Sequence, residues 1–416
     1  MQDGSILRRN HVYRNLWMAK AGSLLGDWFN QVAMAQTTLA FTHSSAAMGL
    51  VLLCKSLPAV VLGPFASPFV DRFPKKPLML FTDILRAIFA LGFGLAVVFQ
   101  ASWLLYVSAL LLGMAGILFE PSRNATIPLV ISHKELPEAY ALEAATAGAL
   151  QIIGAAFGGI VAMAVSPLWC FVINAASYCW SALYILRTHW QEVHEEQHTQ
   201  STYMQSLKAG FHEATRNRVA RAIIFIGIGW GLAGGGYYIL IPLLGTQTFR
   251  FDGLGIGLLY ATDGVGVLIG SYLVRRLVNR NHRRAVIWYG GAYITQAIFF
   301  AALAQSKFFL IGLLMLLFMR ISSGVIIPLD NYLLQSSAKP GLKGRLFALH
   351  SSTYGGVMQM SYVLTGFAFE HIGIPLVGLL IGAMSLLCGI SWLLQFVVFP
   401  SPRHEVKLES RSAMKH

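Results

Sequence analysis

Acidic side chains are scarce in this chain: 18 Asp and Glu in 416 residues, with charges of both signs making up only 12%. Soluble domains carry about twice that share, so an ordinary soluble enzyme is excluded. Long polar stretches are equally few. The longest runs from Arg187 to Arg221, and gaps such as Ser166-Pro167 or Gln305 to Lys307 are too short to hold a recognition domain. Cysteine is limited to Cys54, Cys170, Cys179 and Cys388, all within apolar stretches. None is placed to pair in an oxidising compartment, so they read as small hydrophobes. No cleavable leader is expected, because Met1 to Lys20 is polar and basic and runs straight into a full-length apolar segment.

Apolar residues are what the chain has in abundance, at 56%. They gather in twelve stretches, near 17–40, 47–70, 77–99, 103–119, 139–164, 168–186, 222–243, 254–274, 285–304, 308–329, 346–369 and 374–398. Each is close to the roughly 20 residues that a helix needs to cross about 30 Å of hydrocarbon. The expectation is an all-α membrane protein with twelve transmembrane helices. All but five of the 31 Lys and Arg fall on one face of that arrangement, in gaps or, for Lys20, at the edge of a span. Arg250 and Lys307 lie on the other, and Lys55, Arg86 and Arg320 lie inside spans. By the positive-inside rule both termini are cytoplasmic, in a multi-pass protein of the cell membrane. Sidedness then accounts for the net charge of +13, and no nucleic-acid partner is needed.

The polar interval splits the chain into two six-helix bundles, residues 1–186 and 222–398, joined by a cytoplasmic linker, 187–221, and followed by a tail, 399–416. The halves echo each other with an offset of about 205–210 residues: Asp71-Arg72-Phe73-Pro74-Lys75-Lys76 after span two answers the arginines 275–284 after span eight. Two such halves around an axis normal to the membrane suit a rocking secondary transporter. Gly227, Gly229, Gly231, Gly234, Gly235 and Gly236 cluster in span seven. Mid-span, with no strand before them, they read as close-packing residues rather than a phosphate loop.

Some motifs are more specific. Gly63-Pro64-Phe65-Ala66-Ser67-Pro68-Phe69-Val70-Asp71-Arg72-Phe73-Pro74-Lys75-Lys76 resembles the cytoplasmic loop signature of the major facilitator superfamily. Gly26-Asp27-Trp28, Asp83 to Ala87, Gln151 to Gly154, Phe171 to Ser177 and Gly344-Arg345-Leu346-Phe347-Ala348-Leu349 complete the set. Together they resemble the drug:proton antiporter branch with its macrolide-efflux-type and siderophore exporters. Two positions depart from that pattern: Ser67 stands where the family usually has glycine, and Ala155 where its exporter signature has proline. The resemblance implies a gating loop. Asp71 would rest at the amino end of helix eleven near Lys343 to Leu346, Arg72, Lys75 and Lys76 would pair with Glu120, and Arg123 and Arg345 would flank the contact. An anion at a helix amino end is worth about 0.3–1 kcal/mol, weak enough to break on each cycle.

Ionisable residues at membrane depth are costly and mark function. Asp27 lies about ten residues into span one, roughly 15 Å deep, and Lys55 in span two comes to a similar level. Asp263 in span eight and Arg320 in span ten match near the midplane. These four are the candidates for ion coupling, one acid–base pair expected in each half. Asp83 and Arg86, three apart, read as a structural pair. Asn30, Gln31 and Met34 share a helical face with Asp27 and are assigned to the substrate cavity. Trp230, Tyr237, Tyr238, Tyr354 and Met358 could line the same apolar space. His194-Glu195-Glu196-Gln197-His198 has the spacing of a zinc-protease helix, but it lies in a charged linker without a third ligand, so neither a metal nor a cofactor is expected.

The resulting expectation is a monomeric secondary transporter that exports a small amphipathic compound against proton entry, with sodium the alternative ion at the same carboxylates. A lysophospholipid flippase or importer of the same fold stays open, as does a transport-inactive sensor or assembly partner. An acid and a base in each half express no charge preference for the substrate.

Overall fold

A computed structural model describes residues 5–190, 203–278, 281–339 and 341–399. The described chain is helical throughout, because long apolar segments in lipid must satisfy their own backbone hydrogen bonds. In order, the helices are α1 (Ile6–Arg9), α2 (His11–Thr42), α3 (Ser45–Arg72), α4 (Lys75–Phe99), α5 (Trp103–Val130), α6 (Leu136–Ala164) and α7 (Pro167–Leu186). They continue as α8 (Tyr203–Arg216), α9 (Arg218–Leu243), α10 (Asp252–Val278), α11 (His282–Ala304), α12 (Phe309–Ser337) and α13 (Lys343–Leu393).

Among the described residues, ten segments are long and apolar enough to cross a membrane. Two features separate that number from the twelve expected. The segment α2 spans 32 residues, yet its polar residues keep it out of the apolar set. The longest segment, Lys343–Val398, holds two expected spans: α13 is 51 residues long and breaks at Gly373, whose φ of 79° is left-handed. At 1.5 Å per residue an unbroken α13 would reach about 77 Å, more than twice a bilayer core. Glycine adopts that φ without a Cβ clash, and Pro375 restarts the second arm.

The helices pack as two groups. In the first, α2 lies against α6 and α7, α4 against α5 and α7, and α3 against α5. In the second, α9 and α11 pack on α13, and α12 on α10 and α11. The groups meet along two seams, α6 with α10 and α3 with α13. The first is built from small residues. A Cβ on Gly257 of α10 would stand 2.8 Å from Gly159 Cα of α6 and also meet the Ala155 carbonyl oxygen, so the two backbones touch. Ala155, fully buried, therefore sits in a close seam although proline is missing there.

The second seam is closed at one end only. Ser44 Oγ donates to Glu370 Oε2 at 2.6 Å, the Ala46 amide donates to the same oxygen at 3.2 Å, and Ser45 Oγ donates to the Gly366 carbonyl at 2.8 Å. Further along, Ser56 Oγ donates to Gln359 Oε1 at 2.6 Å. Past Val60 and Gly355 the helices diverge: Val61, Leu62 and Phe65 are exposed, and no atom lies within 4 Å of where a Cβ on Gly63 or Gly356 would stand, while Ala66 and Val70, one turn apart, stay buried on another face of α3. A cleft opens toward the Asp71 end of the molecule, and α8 packs over the start of α13, its Gly210 against the Arg345 carbonyl.

Candidate functional site: charged clusters in and beside the cleft

The second-half pair forms as expected from depth. Asp263 of α10 is ion-paired with Arg320 of α12, with the Asp263 side chain only 6% exposed. Arg320 also reaches Ser323 Oγ at 3.3 Å and stacks over the Tyr237 ring of α9 at 4.8 Å. Unforeseen is the third partner: Gln151 Nε2, from α6 across the seam, donates to Asp263 Oδ2 at 3.1 Å. One carboxylate thus ties α10 to α12 within its own half and to α6 in the other. A polar residue in the middle of an apolar span was the signal that Gln151 carried.

The first-half pair does not form. Asp27 accepts from Tyr178 Oη of α7 at 2.5 Å and lies 3.5 Å from Arg86 of α4, its side chain 36% exposed. Arg86 holds Asp83 at 3.3 Å on its other side and lies over the Tyr178 and Phe119 rings at 4.1 and 4.9 Å. The Asp83–Arg86 pair is therefore part of a three-charge group around Asp27. Lys55 is directed elsewhere: its Nζ donates to Gln31 Oε1 at 2.8 Å. Equal depth along two helices does not give equal azimuth around them, which is why the expected Asp27–Lys55 partnership fails.

The cavity assignments divide. Gln31, Trp230, Tyr238 and Tyr354 are half-buried, whereas Asn30 and Met34 are turned into helix packing and fully buried. Residues 27 and 31, a helical turn apart, keep part of their surface exposed, whereas 30 and 34 are closed off by packing. Tyr237 is buried beneath Arg320, and Met358 is also buried. A cavity of about 310 Å³ lies between α2 and α6, with Trp17, Lys20, Tyr140 and Glu143 in its wall.

At the open end, the expected contact between Asp71 and the start of α13 is not made. Asp71 and Arg72 are exposed, and nothing lies within 4 Å of where a Cβ on Gly344 would stand. The divergence of α3 and α13 is the cause. Glu120 meets Lys20 of α2, and Arg123, buried, meets Glu143 of α6. Lys75 Nζ reaches the Asp71 carbonyl at 3.5 Å, and Lys76 Nζ donates to the Leu186 and Thr188 carbonyls at 2.9 and 2.7 Å. In the second half, Asp330 of α12 accepts from Tyr289 Oη at 2.6 Å and faces His350 Nε2 at 3.0 Å, a cluster that sequence reading missed. His194 to His198 lie outside the described residues, as does the side chain of Ser67; among the described residues no group of His, Cys, Asp or Glu is arranged for a metal.

Residues 16–361 match the Major Facilitator Superfamily. The chain belongs to that superfamily. It is similar to BacE of Bacillus subtilis (strain 168), a proposed bacilysin exporter, 27% identical over 354 residues that cover 84% of this chain and 86% of the relative. Macrolide efflux protein A of Streptococcus pyogenes is 23% identical over 396 residues, covering 90% and 95%. Among solved structures, the nucleoside transporter NupG shares the fold at a TM-score of 0.73 and 14% identity, covering 93% of this chain and 99% of the other. A bacterial homologue of the iron transporter ferroportin in an inward-facing state gives 0.69 at 16% identity, covering 94% and 100%. The protein is a major facilitator transporter, related in sequence to efflux-type members.

Proposed function

We propose that this transporter moves small amphipathic compounds out of the cell in exchange for protons, by alternating access of a cleft between two six-helix bundles. The chain then crosses the membrane twelve times, with α2 the first crossing and Gly373 the turn between the last two. Both termini are cytoplasmic, so the open Asp71 end faces the cytoplasm and the Ser44–Glu370 end is the closed outer gate. The observation that carries this reading is the Gln151–Asp263–Arg320 group on the α6–α10 seam. Moving α6 away from α10 removes a donor from the Asp263 carboxylate and admits water to it. Each change alters how well the carboxylate competes with Arg320 for charge or takes a proton, so proton binding differs between the two states. A difference of that kind is what lets one equilibrium drive the other.

Export, rather than import, is favoured by the efflux-type relatives and by the continuous small-residue seam at Ala155, Gly159, Gly253 and Gly257, which holds without proline. Inside-out vesicles from cells lacking their own pumps test the reading, with erythromycin, ethidium and dansyl-phenylalanine supplied in parallel. ATP-driven acidification of the lumen should drive accumulation of at least one compound, and a proton uncoupler should abolish it. Accumulation that persists with the uncoupler, or that follows a sodium gradient alone, would remove protons from the mechanism.

A further inference from the structure

The failed Asp27–Lys55 pair leaves Lys55 without an ion-pair contact, Asp27 acting on it only from a distance. Of the charges at membrane depth, Asp27, Asp83 and Arg86 form one group and Asp263 and Arg320 another. Lys55 stands apart from both. Its ammonium has three donors, one of which is used, on the neutral Gln31 amide; among the described residues no carboxylate lies within ion-pair distance of it. Asp27, one turn before Gln31 on α2, is engaged by Arg86 and Tyr178. A half-buried ammonium with a single amide partner is only partly compensated, and a counter-charge relieves it.

Position favours a ligand as that counter-charge. Gly113 of α5 presses on the α3 backbone at Lys55, where an added Cβ would stand 3.0 Å from the Lys55 carbonyl carbon. The helix is thereby fixed while the side chain, half-buried, crosses toward Gln31. Tyr260 of α10 lies beside Gln31 and packs against Trp28 at 5.7 Å between ring centroids. A group bound at Lys55 therefore sits where the two halves come together, next to aromatic surface from each.

We propose that Lys55, with Gln31, is an anchor for a singly charged anion, and that the transported amphipath carries a carboxylate or an equivalent oxyanion beside an apolar body. The idea rests on the transporter reading above, and it reverses the expectation of a charge-neutral cavity. Binding, rather than transport, is the test, so that a failure of coupling cannot be mistaken for a failure of the anchor. Purified protein in phosphatidylcholine nanodiscs is titrated with octanoate, N-acetylphenylalanine and dansyl-phenylalanine, each beside its amide, and affinity is read from thermal-shift midpoints.

The expected result is at least one acid binding about tenfold or more tighter than its amide, the lower end for a charge-assisted hydrogen bond. Lys55→Gln should erase that ratio without lowering the ligand-free melting temperature, since it removes an uncompensated charge, and Lys55→Arg should retain a preference for the acid. If no acid outbinds its amide, or if Lys55→Gln keeps the ratio, the anchor is refuted. A lipid headgroup could supply the same chemistry. Acid preference that vanishes when phosphatidylglycerol replaces phosphatidylcholine would assign the site to lipid and overturn the substrate reading.

Discussion

Arg86 shows how one side chain can carry a whole local charge balance. It lies 3.5 Å from Asp27 on α2 and 3.3 Å from Asp83 on its own helix, and two aromatic rings cover its guanidinium. Arg86→Gln would leave the buried Asp83 carboxylate without its ion-pair partner and Asp27 without its nearest cation. Removing one partner of a buried ion pair costs about 3–5 kcal/mol, so the variant should melt well below the parent in detergent. Adding Asp83→Asn to Arg86→Gln should recover part of the loss; a second mutation that only deepens it would show that Asp83 is not a partner. Tyr178→Phe removes a single hydrogen bond to a charged acceptor and should cost about 1–3 kcal/mol, read in the same melts. Much at this scale was legible beforehand. The depth of Asp263 and Arg320 was enough to pair them, because buried opposite charges at one level in one bundle seek each other. The same argument failed for Asp27 and Lys55, since depth is a coordinate along the helix and pairing needs the angle around it as well.

The two antiparallel helices α3 and the first arm of α13 carry the proposed gate. Each has a carboxylate at its carboxyl end, Asp71 on α3 and Glu370 on α13, where its own helix dipole disfavours it. Glu370 meets the opposite helix's amino end, accepting from the Ser44 hydroxyl and the Ala46 amide, while Asp71 stays exposed at the divergent end. Glu370→Ala should therefore loosen the closed end. With the four natural cysteines replaced and Ser45→Cys introduced, a membrane-impermeant maleimide should label Cys at 45 several-fold faster in the Glu370→Ala background. Equal labelling rates would mean that Glu370 does not hold the gate. On the other seam, Gly257→Leu forces a side chain into the Gly159 backbone, and overpacking of that kind costs about 1–3 kcal/mol. Transport should fall with it, and Gly257→Ala should lie between Leu and the parent. The all-helical, many-span class was readable from apolar runs, and α13 breaks at Gly373, in the gap the sequence spacing left between the last two runs. The Glu370 contact was not readable, because it joins residues more than 300 positions apart through one hydroxyl and one amide, neither of which has a sequence signature.

For the molecule as a whole, two seams and an asymmetric opening give one arrangement of the two helix groups, which the proposed rocking cycle takes as one of its states. The fold follows from composition: scarce charge, long apolar runs and duplicated halves leave few other architectures. Partners across the halves are harder to foresee, because hydropathy fixes where a residue sits along the membrane normal and says nothing about which helix from the other half it faces. Gln151 illustrates the limit, conspicuous as a polar residue in an apolar span but without an assignable partner until α6 and α10 are seen together. The central claim is that the Asp263 carboxylate, held from both halves at once, couples protons to their movement. It is tested by reconstituting Asp263→Asn, a mimic of the permanently protonated acid, and following the compound the parent moves fastest, under an imposed pH gradient and without one. The account predicts that gradient-driven accumulation is lost while downhill exchange continues. Uphill accumulation with its pH dependence intact would contradict it.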